Sequence, residues 1–589
     1  MDKTLTGGRL PGAAYVRLIL GVRISATHGA IPAGPATTPA SEALPPPRRW
    51  DVPRAVRLAA AVLGLAAVGT YVVVALLRLA YPFPLEFLES NSLVEVQRML
   101  TGRPLYAAPT VSYVPDGYPP LYFATSAAVA SVLGLSYLPL RLVSLVSSLV
   151  CFAVLGRLVQ RETASAAAGI ASAGLLAATY FVTHTWFDVA RVDSEFIAFS
   201  VAALYAARWM YRTRGAVATG LLLAAAFLTK QNGLAEGVAV LTPLAFGPRR
   251  RLAGTAALTY GAVLGISTLA LELTSHGWYV FYVFVLFSEH TLNHAAVAQF
   301  WTVDMLPILG LACCALVLGV RRTPPVLLAG CAALVVESYV ALVHSGGESN
   351  DLLPAYLAVA LLAGLAMGAH PGGLVSWGAD RLARRARIRS WRPGQINRWV
   401  AAAAAALVIA QLATRIAGFH PAQAIPTSAD RAVGERLTSG MRTLGGTVAV
   451  PSDPGLVLLA GLPTVAHQAA TDDILRGSNA AAIASFTRSA SRAVAARRFS
   501  AIMTENTGPP DGFPADLMRY YRRCPQTLLS GVPQAVFQPV AGPTGRLVYL
   551  WLPVGAASCA ATIRSLDGSA AGSPAVAQPP RPSRAGGLS

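Results

Sequence analysis

Apolar runs of about 20 residues, the length that crosses a bilayer as a helix, follow one another from Arg57 to Ile416. Lipid offers no water to an unpaired backbone group, so runs of this kind fold as spanning helices. Candidate spans lie near 57–80, 138–157, 164–182, 194–210, 216–230, 233–247, 252–272, 303–320, 325–343, 352–369 and 398–416. The sequence therefore reads as a polytopic α-helical membrane protein of about eleven transmembrane helices. Composition agrees: 13% of residues are charged and mean hydropathy is +0.51, against about 25% charged in an average soluble domain.

The gaps between the runs fix an orientation. Arg48/Arg49/Arg54, Arg157/Arg161, Arg208/Arg212/Arg214, Arg249–Arg251, Arg321/Arg322 and Arg381–Arg398 fill every second gap. Short arginine-bearing loops stay cytoplasmic, so the net charge of +19 marks sidedness and points to no nucleic-acid partner. With the N-terminus inside, the odd number of spans places everything after about residue 417 outside.

The opposite gaps carry Glu86/Glu89, then Asp188/Arg191/Asp193, Lys230, Glu289/His290/His294, and Glu348/Asn350/Asp351. Ionisable groups held at the mouths of spanning helices mark functional sites. Glu86 and Glu89, three apart, share one face of a helical turn, where a carboxylate serves as general base, metal ligand or plain helix cap. Asp193 opens a helix and is placed more firmly than Asp188. Lys230 is the sharper signal, because the chain has only two lysines, Lys3 and Lys230. A compact ammonium at this place binds a phosphate oxygen or stabilises a leaving group, with snorkelling from a helix end as the plain alternative. Arg141 opens the next helix on the same face as a second phosphate contact. Tyr118 and Tyr122 bracket two prolines and, with Asp188, Glu289, His290, Glu348 and Asp351, are read as lining the cavity. His290 and His294 are spaced for a two-histidine metal face, but no third ligand is near in sequence.

Two outer loops are long. The first, about 81–137, contains the amphipathic LESNSLVEVQRML and suits the membrane interface. The second, about 273–302, is dense in aromatics that suit the headgroup level. Residues 1–55 read as a disordered cytoplasmic leader, 56–417 as the transmembrane catalytic domain and 566–589 as a disordered tail. Between 418 and 565, strand-like runs (GTVAVP, PTVAH, FSAIMTEN, GRLVYLWLP) alternate with helical ones (PGLVLLAG, PADLMRYYRRC), the pattern of a small extracytoplasmic α/β domain. Cys151, Cys313, Cys314 and Cys331 read as small buried hydrophobes. Cys524 and Cys559 are an available disulfide pair that spacing alone does not prove.

The order LES, VEVQRMLTGRPLY, YPPLYF, GLSYLPLRLVSL, ARVDS and FLTKQNG resembles the GT-C-type glycosyltransferases that use polyprenyl-phosphate sugars, over roughly residues 57–370. Among their branches it is most similar to protein O-mannosyltransferases and lipid A aminoarabinose transferases. The resemblance implies a sugar on a polyprenyl phosphate and a glycan, lipid or protein acceptor. It also implies transfer on the extracytoplasmic face of the plasma membrane, by in-line displacement with inversion. Aligned through VEVQRML, Leu88 stands where the family has aspartate, leaving Glu89 or Glu86 to serve. Asp193 matches the family's second acid and Lys230 the lysine of its LTK segment. Tyr118 replaces the lysine that the aminoarabinose branch carries before its prolines. The base is thus expected at Glu89 or Asp193, with the donor phosphate on Lys230 and Arg191 or Arg141. No cofactor is assigned, and a divalent metal stays an open alternative. A transporter or flippase of a lipid-linked sugar is the competing reading; it places charges near the bilayer midplane rather than at one face.

Overall fold

The computed structural model describes residues 52–305, 323–368, 393–543, 545–556 and 558–567. Most of the candidate span 303–320, Cys313/Cys314, Arg321/Arg322, Arg381–Arg392, and nearly all of the leader and tail lie outside these residues.

Twelve helices of the membrane part position the site. They are α1 (Val52–Leu79), α2 (Glu89–Leu100), α3 (Leu121–Leu133), α4 (Tyr137–Thr163), α5 (Ala166–Thr179), α6 (Asp193–Arg208), α7 (Thr213–Thr229), α8 (Gly233–Ala245), α9 (Arg250–Ser275), α10 (Pro325–Val343), α11 (Leu353–Ala366) and α12 (Pro393–Gly418). Among the described residues, six helical segments are long and apolar enough to cross a membrane: α1, α4, α9, α10, Ser349–Ala366 and Arg398–Gly418. The protein is a multi-pass membrane protein.

Shorter apolar helices stop for local reasons. The run 216–247 divides at Lys230, whose extended backbone (φ −145°, ψ 130°) ends α7 before α8 starts at Gly233. Inside the first outer loop, Pro120 is the N-cap of α3, a helix where the sequence pattern predicts only an interfacial loop. A proline ring blocks helix continuation from the N-terminal side only, so paired prolines start the helix.

Small residues let the helices approach closely. A side chain on Gly174 of α5 would collide with the Gly64 backbone of α1, so this crossing tolerates only glycine. The segment containing α11 is 89% buried, against 11% for α9. Helix α11 is thus the centre of the bundle, and α9 presents Leu258, Ile266, Leu269 and Leu273 outward, as a lipid-facing helix must.

The C-terminal region builds a four-stranded sheet of β1 (Thr447–Ala449), β2 (Phe499–Thr504), β3 (Tyr521–Arg523) and β4 (Tyr549–Pro553), in the order β1-β2-β4-β3. β1 and β2 are parallel, and both other pairs are antiparallel. A parallel pair needs a crossover, which α14 (Gln468–Arg476) and α15 (Ala480–Ala495) supply. Helix α13 (Ser428–Leu444), started by a Thr427/Asp430 capping box, packs against α16 (Cys559–Asp567). The Cys524–Cys559 disulfide, its ends separated by 35 positions in sequence, ties the end of β3 to α16. Closing a loop of that size stabilises by about 2–4 kcal/mol. Cys559→Ser should therefore lower the melting temperature of the purified protein, and an unchanged value would argue that the bond closes an already rigid segment.

The sheet region is seated on the helices by specific bonds. Ser90 Oγ donates to Asp453 Oδ1 (2.5 Å), Ala466 N to the Val111 carbonyl (2.9 Å), and Ala541 N to the Leu85 carbonyl (2.9 Å). Glu289 accepts from the Ser478 and Asn479 amides at 2.9 and 3.1 Å. The described residues from Val52 onward form one compact unit.

Candidate active site

Lys230 lies at the convergence of three chain segments. Its ammonium donates to Asp193 Oδ1, at the start of α6, and to Asp351 Oδ1, before α11, both at 2.8 Å. Asn350 Nδ2 also donates to Asp193 Oδ1 (3.0 Å). Glu348 and Asp351 cap the short turn Ser349–Leu352 reciprocally, which holds the Asp351 carboxylate toward the lysine. Burial works against the charge on Lys230, yet the two carboxylates outweigh it and hold its pKa above the ordinary lysine value.

Arg191 stands beside this triad. Its Nη2 donates to the Tyr118 hydroxyl (3.1 Å), and its Nε lies 3.6 Å from Asp193 Oδ2. The rings of Tyr118 and Trp186 flank the guanidinium at 5.6 and 5.5 Å, a cation–π arrangement that fixes it in place. Arg191 is 3% exposed, and its Nε has no hydrogen-bond partner.

Tyr118, Arg191, Lys230, Asn350 and Asp351 line a cavity of about 1050 Å³. One side is apolar, with Leu234 of α8, Phe284 and Val297 of the outer loop, and Val336 and Val340 of α10. The other side lies under the sheet region and carries Asp116, His467, Asp472, Asp473 and Glu505. Gly117 lets the first outer loop reach this wall, since a Cβ there would collide with the Phe287 ring. The cavity is thus lined by apolar side chains of the helices and the second outer loop and by carboxylates of the first outer loop and the sheet region, with Lys230 and Arg191 in the same lining.

Other residues singled out from the sequence fall elsewhere. Glu89, fully buried, accepts from Arg141 Nε (2.9 Å) and Nη2 (2.6 Å), and from the Leu85 and Ala190 amides at 2.6 Å each. Arg141 spends its other donors on the Tyr81 and Phe83 carbonyls, both at 2.6 Å. Neither residue lines the cavity; together they staple the loop after α1 to α4. Asp188 does the same for α1 itself, accepting from Arg78 Nε and Nη2 at 2.7 and 2.6 Å. Tyr122 is enclosed, donating to the Leu140 carbonyl (3.0 Å). Glu86 is buried off the cavity wall, with Oε1 unpartnered and its pKa pushed up to about 8 by burial. His290 lines the cavity and bonds the Asp473 carbonyl (2.9 Å). It is extended where His294 begins a helix, so the two share no helical face. Among the described residues, no group of three or more His, Cys, Asp or Glu side chains is placed to hold a metal ion.

Several site residues escape the sequence reading. Asp116, sitting immediately before Gly-Tyr-Pro-Pro, carries a signal that was there to use. Asn91 Nδ2 donates to its Oδ1 (2.5 Å), and its amide donates to Glu95 Oε1 (2.8 Å). Burial lifts the Asp116 carboxyl to about 6, with Arg191 pulling the other way. His467, whose Nε2 meets the Phe87 carbonyl (3.0 Å) while Nδ1 accepts the Ala469 amide, is held near 4 by burial. It is a neutral structural contact. Nothing in its local sequence connects it to a site more than two hundred residues earlier.

Residues 117–275 match the model of the family described as dolichyl-phosphate-mannose-protein mannosyltransferase. No curated protein matches the chain significantly. Among solved structures, the chain is similar to apo ArnT from Cupriavidus metallidurans, with TM-score 0.51 and 14% identity, covering 83% of this chain and 97% of that one. The same protein bound to undecaprenyl phosphate gives TM-score 0.50 and 12% identity, with the same coverages. At this identity the likeness establishes a shared fold.

Proposed function

We propose that this chain is an integral-membrane glycosyltransferase that moves a hexosyl or pentosyl unit from a polyprenyl-phosphate donor to an acceptor hydroxyl. The reaction is assigned to the extracytoplasmic face of the plasma membrane, in the chamber between the helices and the α/β region. One observation carries the reading: Lys230 and Arg191 line a single cavity together with apolar side chains of α8 and α10 and carboxylates of the first outer loop and the sheet region. A lipid phosphate is the ligand that needs a cation at the end of a hydrocarbon groove. The partial match to the dolichyl-phosphate-mannose-protein mannosyltransferase family supports the same donor class. So does a fold shared with an ArnT structure described as bound to undecaprenyl phosphate.

In this reading Lys230 and Arg191 hold the donor phosphate and take up the charge that grows on it as the sugar leaves. Asp193 and Asp351 keep the lysine ionised and aimed. The acceptor oxygen attacks the anomeric carbon, the bond from that carbon to the phosphate oxygen breaks, and its electron pair leaves with the phosphate. The hydroxyl proton goes to a carboxylate on the chamber wall. Asp116 fits that role better than Glu89, whose oxygens are all engaged, or Asp193, which is committed to Lys230.

The pH dependence follows with its sign. A base must be deprotonated, and the Asp116 carboxyl is raised to about 6. Transfer should therefore be full above that pH and fall as pH drops through it. Asp116→Asn should lower the rate by about 10²–10⁴-fold, the usual scale for losing a general base, and flatten this acid limb. An Asp116→Asn enzyme that keeps both rate and limb would return the role to Asp193 or Glu86.

A further inference from the structure

The chamber has a charge pattern that bears on the acceptor. Resting on the donor reading above, Lys230 and Arg191 occupy the wall formed by the helices. Facing them are Asp116 from the first outer loop, Asp472 and Asp473 from α14, and Glu505 just after β2. Among the described residues, the one cation lining that far side is Arg476, whose Nη1 lies 3.3 Å from Asp473 Oδ1. Across the gap, Arg191 acts electrostatically on Asp116 and Asp473 alike, and its Nε, 3% exposed as a residue, has no hydrogen-bond partner.

With the donor phosphate held on Lys230 and Arg191, an acceptor bearing phosphate or carboxylate would meet four carboxylates with Arg476, among the described residues, as the one cation beside them. An uncharged hydroxyl donates to a carboxylate through its hydrogen and brings no charge of its own. We propose that the acid-lined half of the chamber is an acceptor subsite for an uncharged polyol such as a neutral glycan, and that it excludes acceptors carrying phosphate or carboxylate near the reacting hydroxyl. Asp472 and Glu505 act as specificity residues through their charge. Both carboxyls sit above their ordinary range through burial, consistent with carboxylates left short of counter-charge.

The test uses the full-length protein in detergent with two probes: an octyl mannoside and the same glycoside bearing a 6-phosphate. Binding of each is measured by calorimetry, with undecaprenyl phosphate titrated in parallel. The neutral glycoside should bind at least about tenfold more tightly, since like-charge juxtaposition at an interface costs several kcal/mol. Asp472→Asn combined with Glu505→Gln should narrow the gap to less than about threefold, while undecaprenyl phosphate still binds and so shows the variant folded. Asp472→Asn alone should give an intermediate ratio. Equal or tighter binding of the phosphorylated glycoside overturns the proposal, and so does a ratio unmoved in both variants. If neither glycoside binds while the lipid phosphate does, the acceptor subsite is wrong and the donor site stands. Failure of undecaprenyl phosphate to bind is the separate signature that the donor reading itself is wrong.

Discussion

Lys230→Gln is expected to lower sugar transfer by about 10²–10³-fold, the scale seen when one preorganised group that stabilises developing charge is removed. The loss has two parts. The donor phosphate forfeits one of its two proposed cations, and of the carboxylates now both 2.8 Å from the ammonium, Asp193 keeps only the more distant Arg191 at 3.6 Å while Asp351 loses its ion-pair partner. The second part is a stability effect, and a paired variant separates it. Lys230→Gln with Asp351→Asn removes one positive and one negative charge together, so it should regain the melting temperature lost in the single variant. It should not regain transfer. Lys230→Arg should also be impaired, because a planar guanidinium does not replace a point charge held between two carboxylates in a buried niche. Measured undecaprenyl phosphate affinity should fall with transfer in all three. A Lys230→Gln enzyme with native affinity and rate would leave the cation at this place without a chemical role.

The second large effect is structural. Glu89→Ala leaves Arg141 buried at 0% exposure without its counter-ion, and breaking such a pair from one side costs about 3–5 kcal/mol. That is a large fraction of the stability of an ordinary domain. The expected result is a sharp drop in folded, monodisperse protein. Glu89→Gln keeps the side-chain shape and one acceptor oxygen, enough for one of the Leu85 and Ala190 amides, so it should fold better than Glu89→Ala but less well than the native protein. Per folded molecule, its transfer rate should stay within a few-fold of the native enzyme. A Glu89→Gln protein that folds normally but loses turnover by orders of magnitude would contradict the assignment of Glu89 to scaffolding and restore it as the base.

Glu89 also illustrates what the sequence could and could not convey. The one-sided placement of acids and the single membrane-facing lysine were legible, because membrane insertion forces charge to the ends of apolar runs. From that pattern alone Lys230, Asp193 and Asp351 could be gathered at one face, and the structure brings them into direct contact. The division of labour among the acids was not legible. Glu89 and Asp188 carry the same side-chain chemistry as Asp116 and Asp351, and only their partners, Arg141 and Arg78, separate scaffold from cavity. Those partners lie 52 and 110 residues away, beyond any local periodicity. The same distance hid Asp472 and Glu505, which reach the chamber only because the C-terminal sheet docks over it. Helix α3 escapes notice for a different reason: its 13 residues are too few to span, so hydropathy alone gives no cause to set it apart from the interfacial loop. Of the strand-like runs after residue 418, GTVAVP, FSAIMTEN and GRLVYLWLP contain β1, β2 and β4, whereas PTVAH forms no strand and β3 falls in PADLMRYYRRC, a run whose pattern reads as helical.

The central claim is that the cavity at Lys230 performs group transfer from a lipid phosphate. The most direct measurement is transfer of radiolabelled sugar by the purified, reconstituted protein from a defined series of undecaprenyl-phosphate sugars to neutral glycan acceptors. Product sugar and released undecaprenyl phosphate are to be resolved chemically. The account predicts that one donor yields equal amounts of glycosylated acceptor and free undecaprenyl phosphate, and that Lys230→Gln suppresses both. Movement of the intact donor across the vesicle bilayer, with no bond broken and no dependence on acceptor, would contradict it and identify a flippase.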